Sequence, residues 1–307
     1  MTNSKPNIEV NLAGIRLKNP VMVASGTFGY GPEYADLMDL SRLGAIIVKG
    51  ISREPWGGNR TPRIVEVPGG LVNAIGLQNP GVEGFVKKYM PFLRRFDVAV
   101  IVNIWGRTVE DYAEVAARFD DVQGVHGLEI NISCPNIKAG GSAFGTSLDM
   151  TARVVAAVRR RTRLPVIPKL APNVADIAAF ARTCEEHGAH AISLINSYPA
   201  MVIDIETRRP VLANVTGGLS GPAIHPIAVR LVYEAARAVK IPVIAIGGIT
   251  EAKQAIEFMI AGASAVAIGT ANFTDLRTAL AVIDGLGRYL KAHRMPSVRD
   301  LVGSLRL

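Results

Sequence analysis

Cysteine is almost missing from this sequence: its 307 residues include two, Cys134 and Cys184, and no C-x-x-C pair. Neither a disulfide framework nor a zinc or iron-sulfur site can be assembled from them within the chain, and a reducing, cytoplasmic setting is expected. His126, His187, His190, His225 and His293 show no H-x-x-x-H or related spacing. No metal site is therefore expected, and these histidines read as capping or solvated residues. No Walker sequence occurs, and no G-x-G-x-x-G opens a helix after the first apolar run, because SGTFGYG (25–31) lacks that spacing. Long apolar stretches are absent too: residues 210–229 are uncharged but broken by Pro210, Pro222 and Pro226. The leading MTNSKPNIEVNLAG has no signal-peptide core, so neither a membrane span nor secretion is expected. Acidic residues are the scarcer sign, 26 against 34 Lys and Arg, for a formal charge of +8. That excess raises nucleic acid, an acidic membrane surface or an anionic small ligand as partners. The basic residues are scattered rather than interleaved with aromatics, so nucleic-acid binding has charge alone in its favour and is not expected.

What the chain has in quantity is apolar character, 49% of its residues, enough for a sizeable core in a single domain spanning 1–307. Eight short Val- and Ile-rich runs stand out: VMVAS (21–25), AIIVKG (45–50), VAVIVNI (98–104), GLEINIS (127–133), PVIPKL (165–170), AISLINS (191–197), PVIAIGG (242–248) and AVAIGT (265–270). Continuous apolar character suits strands buried on both faces of a parallel sheet. Segments with helical spacing separate them, as at 32–44, 108–119, 148–162, 176–188, 223–239 and 250–262. Gly44, Gly188 and Gly262 stand where a helix would end in a left-handed residue. The pattern predicts an α/β fold, a (β/α)8 TIM barrel, with an open doubly wound sheet as the alternative. Two strand spacings are long and mark insertions after the second and sixth strands, at 51–90 and 198–222. The segment NIEVNLAGIRLKNP reads as an amino-terminal hairpin closing the opposite end.

A barrel brings its strand ends to one rim. Here they are Ser25, Lys49, Asn103, Asn131, Lys169, Asn196, Gly247 with Gly248, and Gly269 with Thr270. Lysines and asparagines on one rim are unlike a packing layer, and buried amides need partners, which points to a ligand. The alternative is that each Asn makes a turn and each Lys reaches solvent. Backbone N–H groups at the glycine pairs, with Gly221 nearby, suit a phosphate, although tight turns alone would also use them. Phosphate, amides and lysines together fit FMN better than a sugar phosphate. A flavin ring needs donors and acceptors along one edge and positive charge near N1 and the C2 carbonyl, which Lys169 is placed to supply. Cys134, between a buried strand and a Gly-rich stretch, is a candidate base or nucleophile. Cys184, on a helix, reads as a small buried residue. Gly140, Gly141 and Gly145 fit a lid that excludes water.

Longer motifs carry a resemblance: NAIGLQNPG (73–81), LEINISCPN (128–136), PVIPKLAPNV (165–174), VLANVTGGLSGPAI (211–224) and AGASAVAIGTANF (261–273). Over almost the whole chain they resemble the class 1 dihydroorotate dehydrogenases. NISCPNIKAGGSAFG and GGLSGP are similar to the B type, the catalytic subunit of an NAD-linked enzyme, more than to the fumarate-linked A type. Membrane-bound class 2 enzymes carry serine as the base and an added amino-terminal helix, where this chain has Cys134 and no such helix. The resemblance implies that Cys134 removes a proton from C5 of dihydroorotate while C6 delivers hydride to N5 of FMN, giving orotate for UMP synthesis. It implies one FMN per chain, held by Ser25, Lys49, Gly50, Asn103, Asn131, Lys169, Ile195, Gly221, Gly247, Gly248, Gly269 and Thr270. Substrate would meet Lys49, Asn73, Asn131, Asn136, Asn196 and Ser197, and the backbone of Asn73, Ala74, Ile75, Gly76 and Leu77 would line the same pocket. Electrons would leave through a partner subunit carrying FAD and a 2Fe-2S cluster and pass to NAD, in a heterotetramer of two catalytic and two electron-transfer subunits built on a homodimer. Trp105, in NIWGRTVEDY, stands where some relatives carry a small residue and marks a possible change beside the flavin or at a subunit contact. Two alternatives stay open: an FMN enzyme acting on another pyrimidine, and a non-catalytic flavin-binding barrel.

Overall fold

A computed structural model describes residues 6–133 and 144–307; Cys134, Asn136, Gly140 and Gly141 lie outside the described residues. The chain starts with a hairpin, β1 (Val10–Leu12) and β2 (Ile15–Leu17), whose turn residues Ala13 and Gly14 have φ of 54° and 90°. Leu12 and Leu17 are fully buried, and Ile15 Cδ1 would lie 3.0 Å from a Cβ at Gly127, the first residue of a barrel strand. The hairpin thus closes the amino-terminal end of the barrel, as the sequence predicts.

Eight parallel strands follow: β3 (Val21–Val23), β4 (Ala45–Ile51), β7 (Ala99–Ile104), β8 (Gly127–Asn131), β9 (Val166–Lys169), β10 (Ile192–Leu194), β15 (Val243–Ile246) and β16 (Ala265–Ile268). They close into a barrel in that order, with β16 pairing back onto β3. Each comes from one of the eight apolar runs. Helices Val109–Phe119, Leu148–Arg159 and Ile177–Glu186 start at Thr108, Ser147 and Asp176, whose side chains accept a backbone N–H in the first turn. Helices His225–Ala238, Ala252–Ala261 and Thr278–Ala292 complete the wall after the later strands.

Two local expectations change. Residues 32–44 form only a short helix, Pro32–Ala35, and a 3-10 turn, Leu40–Arg42. The Asp39 carboxylate accepts the Ser41 N–H, and this local bond restarts the backbone in place of a continuous helix. Gly188 and Gly262 have φ of 94° and 122°, the left-handed region expected of them. Gly44 is needed for a different reason: a Cβ there would lie 2.1 Å from the Asn19 carbonyl oxygen.

The two insertions meet each other. From the first come β5 (Ile64–Val67) and β6 (Gly70–Asn73), and from the second β11 (Tyr198–Met201) and β14 (Thr216–Ser220). They form one antiparallel sheet ordered β11-β14-β6-β5, with Asn73 opposite Gly218 and Val72 opposite Leu219. Val72, Ala74 and Leu212 make its small separate core. A further hairpin, β12 (Ile203–Asp204) and β13 (Arg209–Pro210), extends from it. Among the described residues no helix is long and apolar enough to cross a membrane.

Candidate active site

The carboxyl ends of the barrel strands surround a cavity of about 590 Å³. Every residue that the sequence analysis assigned to the cofactor lines it, as do Asn73, Ile75, Gly76, Leu77, Asn196 and Ser197 from the substrate set. Ala74 does not line it. Its side chain is turned into the insertion core with Val72 and Leu212, because successive residues of an extended segment face opposite ways.

The floor is polar because of strand alternation in GLEINIS. Leu128, Ile130 and Ile132 are buried hydrophobics, while Glu129, Asn131 and Ser133 are the buried polar residues between them. Glu129 was missed by sequence reasoning, which treated this run as uniformly apolar. Its carboxylate accepts from Ser193 Oγ at 2.8 Å, Asn103 Nδ2 at 2.5 Å and Ser25 Oγ at 3.1 Å, and Lys169 Nζ lies 3.9 Å away. Those partners come from four other places on the barrel, so the carboxylate sits in its interior. The available signal was the spacing: Glu129 precedes Asn131 by two and shares its face.

On the side of β15 and β16 the wall includes Gly221, Gly247, Gly248 and Gly269, where no side chain covers the backbone. Gly221 has φ of 107°, and a Cβ there would lie 2.6 Å from Gly70 Cα. At Gly247, with φ of 144°, a Cβ would lie 2.7 Å from Ala228 Cβ. Glycine is thus required by conformation and by space, and backbone without a Cβ lets an anion in the cavity approach its N–H groups closely. His225 Nδ1 bonds the Gly247 carbonyl at 2.9 Å, which ties this turn to the following helix. The other histidines are structural as well: His126 and His190 accept from the Val100 and Val166 amides, and His187 and His293 each contact a carbonyl four residues back. Among the described residues no group of His, Cys, Asp and Glu could hold a metal ion.

The segment 75–77 also lines the cavity, and in it Gly76 and Leu77 have φ of 74° and 59°. A left-handed leucine costs on the order of 1 kcal/mol and persists only where neighbours hold it. Three contacts do so: Trp56 Nε1 donates to the Gly76 carbonyl at 2.9 Å, Asn59 Nδ2 to the Ala74 carbonyl at 3.0 Å, and the Asn59 amide to the Ile75 carbonyl at 3.0 Å. Trp56 was also missed, since nothing in its local sequence links it to residue 76. Arg107 stacks on its ring at 4.2 Å, and Trp105 meets it edge-on at 6.0 Å. Trp105 is 2% exposed and stands behind the wall: a Cβ at Gly50 would lie 3.3 Å from its Cδ1. Lys49 is half-buried at the mouth; burial first, and Arg63 second, hold its ammonium below the usual lysine range. Cys184 is fully buried on its helix, as expected, and burial pushes its thiol up.

Comparison with known proteins gives the same family by sequence. The dihydroorotate dehydrogenase family model matches residues 7–290. A protein of Pelobacter propionicus named dihydroorotate dehydrogenase B (NAD(+)), catalytic subunit, is 54% identical over 301 residues, covering 98% of this chain and 99% of that one. A protein of the same name from Thermoanaerobacter pseudethanolicus is 52% identical over 301 residues, with the same coverage. The crystal structure of DHODH from Eimeria tenella in complex with ferulenol superposes with a TM-score of 0.83 at 23% identity, covering 99% of this chain and 90% of that one, which supports the fold. Barrel, cavity and near-full-length relatives agree, and the chain belongs to the dihydroorotate dehydrogenase family.

Proposed function

We infer that the chain oxidises dihydroorotate to orotate in pyrimidine biosynthesis, with one FMN per chain as its cofactor. The observation that carries this is the convergence on one cavity of a glycine arc, Lys169 with the amides of Asn103, Asn131 and Asn196, and Lys49 with Asn73 and the 75–77 segment. The donor set fits FMN: the arc offers backbone to a phosphate, and the floor offers amides and a cation to the edge of a flavin ring. FMN, when bound, supplies the acceptor for the hydride from C6 of the substrate.

The chain's own residues do the rest. Lys49 is an ammonium disfavoured by burial and by Arg63, so an anion placed against it gains more than one placed against a solvated lysine. The carboxylate of dihydroorotate meets that need. Asn73, Asn131, Asn136, Asn196 and Ser197 match the ring amides of the substrate with donors and acceptors. Cys134 is assigned as the base that takes the C5 proton, on its place in NISCPN; it lies outside the described residues. The loss of a proton from C5 and of a hydride from C6 together account for the new ring double bond of orotate.

The relatives' names specify a catalytic subunit and NAD(+). We extend both to this chain: electrons pass to NAD through a second subunit carrying FAD and a 2Fe-2S cluster, in a cytoplasmic heterotetramer built on a homodimer of this chain. Two cysteines in the whole sequence cannot ligate such a cluster, so it belongs to the other chain. Exposed Ile203, Ile205 and Val215 on the second insertion offer apolar surface for a subunit contact. An anaerobic titration tests the function. Dihydroorotate should bleach the flavin absorbance of the FMN-loaded protein while dihydrouracil leaves it unchanged. The reverse result would move the function to another pyrimidine, and protein that takes up no FMN would overturn the flavin assignment.

A further inference from the structure

Glu129 has no part in the chemistry above, and it does not line the cavity. It is fully buried one step below the rim, paired in register with Asn103, while Asn131 pairs with Lys169. A carboxylate only accepts hydrogen bonds. Asn103 must therefore turn its Nδ2 toward Glu129, at 2.5 Å, and present its Oδ1 to Asn131, whose Nδ2 lies 3.4 Å away. Asn131 in turn presents Oδ1 to Asn196 Nδ2 at 3.3 Å, and Asn196 Oδ1 accepts the Ser197 N–H at 2.8 Å. Every link runs in one sense, from Ser197 down to Glu129. An asparagine amide has nearly the same shape either way round, so its orientation is set by partners of fixed polarity, here the Ser197 N–H at one end of the row and the Glu129 carboxylate at the other.

We propose that Glu129 is a positioning residue: it fixes the donor–acceptor polarity of the Asn103–Asn131–Asn196 row at its Asn103 end, as the Ser197 N–H does at the other, and holds Lys169 Nζ at the cavity floor. The pocket then shows a bound ring one pattern of hydrogen bonds, with a partly neutralised cation beneath it. Its premise is that the cavity is the flavin and pyrimidine site. Glu129→Gln keeps the size of the side chain but adds an NH2 that can donate to Asn103 Oδ1, so the Asn103 end of the row loses its fixed acceptor while the Ser197 N–H holds only the far end. It also removes the counter-ion of Lys169.

The experiment uses the full-length holoenzyme with orotate as the probe, whose binding is read from the perturbed flavin spectrum, together with the flavin midpoint potential. In folded E129Q, orotate affinity falls by at least about tenfold, about 1.4 kcal/mol, and the flavin becomes easier to reduce because Lys169 is no longer neutralised. Unchanged orotate affinity overturns the polarity role, and an unchanged potential overturns the hold on Lys169. If E129Q fails to fold, a neutron structure of the wild-type protein decides: deuterons on Asn103 Nδ2 directed at Glu129 support the proposal, and Oδ1 there or mixed orientations overturn it. Wild-type protein that binds neither FMN nor orotate would overturn the site assignment instead, and the neutron structure would still read the polarity of the row.

Discussion

Lys169 Nζ lies 3.9 Å from Glu129 Oε2, with 5% of the lysine side chain and none of the glutamate side chain exposed. A buried pair of this kind is held together as much by the cost of separating it as by its own attraction. Three hydrogen bonds to the carboxylate, from Ser25, Asn103 and Ser193, offset the anion's desolvation beside this ion pair.

Lys169→Met should therefore leave an unpaired carboxylate inside the barrel and destabilise the apoprotein by roughly 3–5 kcal/mol. Urea unfolding followed by circular dichroism measures this. A loss within the noise of the extrapolation would show that water or rearrangement relieves the charge.

Gly247→Ala places a Cβ 2.7 Å from Ala228 Cβ at a φ of 144°. It should weaken FMN binding to the apoprotein by at least tenfold and cost about 1–3 kcal/mol of stability. Gly287→Ala is the control, since a Cβ there meets nothing within 4 Å and the residue lies inside the helix Thr278–Ala292. That variant should gain about 0.5–1 kcal/mol and bind FMN as wild type does.

Trp56→Phe keeps a ring between Arg107 and Trp105 but loses the hydrogen bond to the Gly76 carbonyl. With roughly 1 kcal/mol of loop positioning lost, KM for dihydroorotate should rise about fivefold, with a smaller change in kcat. Steady-state kinetics would contradict this if kcat fell and KM stayed constant.

Cys134→Ser should retain bound flavin and lose most of the rate of flavin reduction, because a hydroxyl is a far weaker base than a thiolate at neutral pH. Stopped-flow bleaching by dihydroorotate gives the rate. Wild-type rates in Cys134→Ala would remove the base assignment. Cys184→Ser should act on stability and not on rate, by about 1–3 kcal/mol, since it puts a hydroxyl in a fully buried site.

Asp120 couples the end of the helix Val109–Phe119 to Thr162 and Arg163 just before β9. Partial burial pushes its carboxyl up, but the bonds from Thr162 Oγ1, the Arg163 amide and the Arg163 guanidinium outweigh that and bring it to about 2. A depressed carboxyl stabilises the fold above its unfolded pKa of about 4 and loses that contribution as pH falls through the folded value. Wild type should therefore lose about 1–2 kcal/mol from this group between roughly pH 4 and pH 2. Asp120→Asn should already lack it at pH 7 and show a shallower acid limb in melting temperature against pH.

Much of the site was legible because barrel strand ends converge whatever lies between them. Lys169, Asn131 and the Gly247–Gly248 pair could be placed on one rim from their positions in the apolar runs alone. Glu129 escaped because a strand wholly buried on both faces looks continuous, and one charged residue in GLEINIS does not disclose that every second position faces the barrel interior. Ala74, in the middle of the 73–77 segment, packs its side chain with Val72 and Leu212 in the insertion core, a contact that needs the second insertion to be in place.

Local chemistry in the chain determined the eight strands, the helices with their caps, and the glycines that no other residue can replace, since these depend on periodicity and backbone sterics over short spans. Tertiary structure alone decided what depends on residues far apart in the chain. The insertions at 51–90 and 198–222 became one sheet only when β6 and β14 found their register. Trp56 became a clamp only when Gly76 was folded beneath it. The Asn103 end of the amide row acquired its direction only when a carboxylate on β8 met an asparagine on β7, because an amide side chain carries no preferred orientation until a partner of fixed polarity stands beside it.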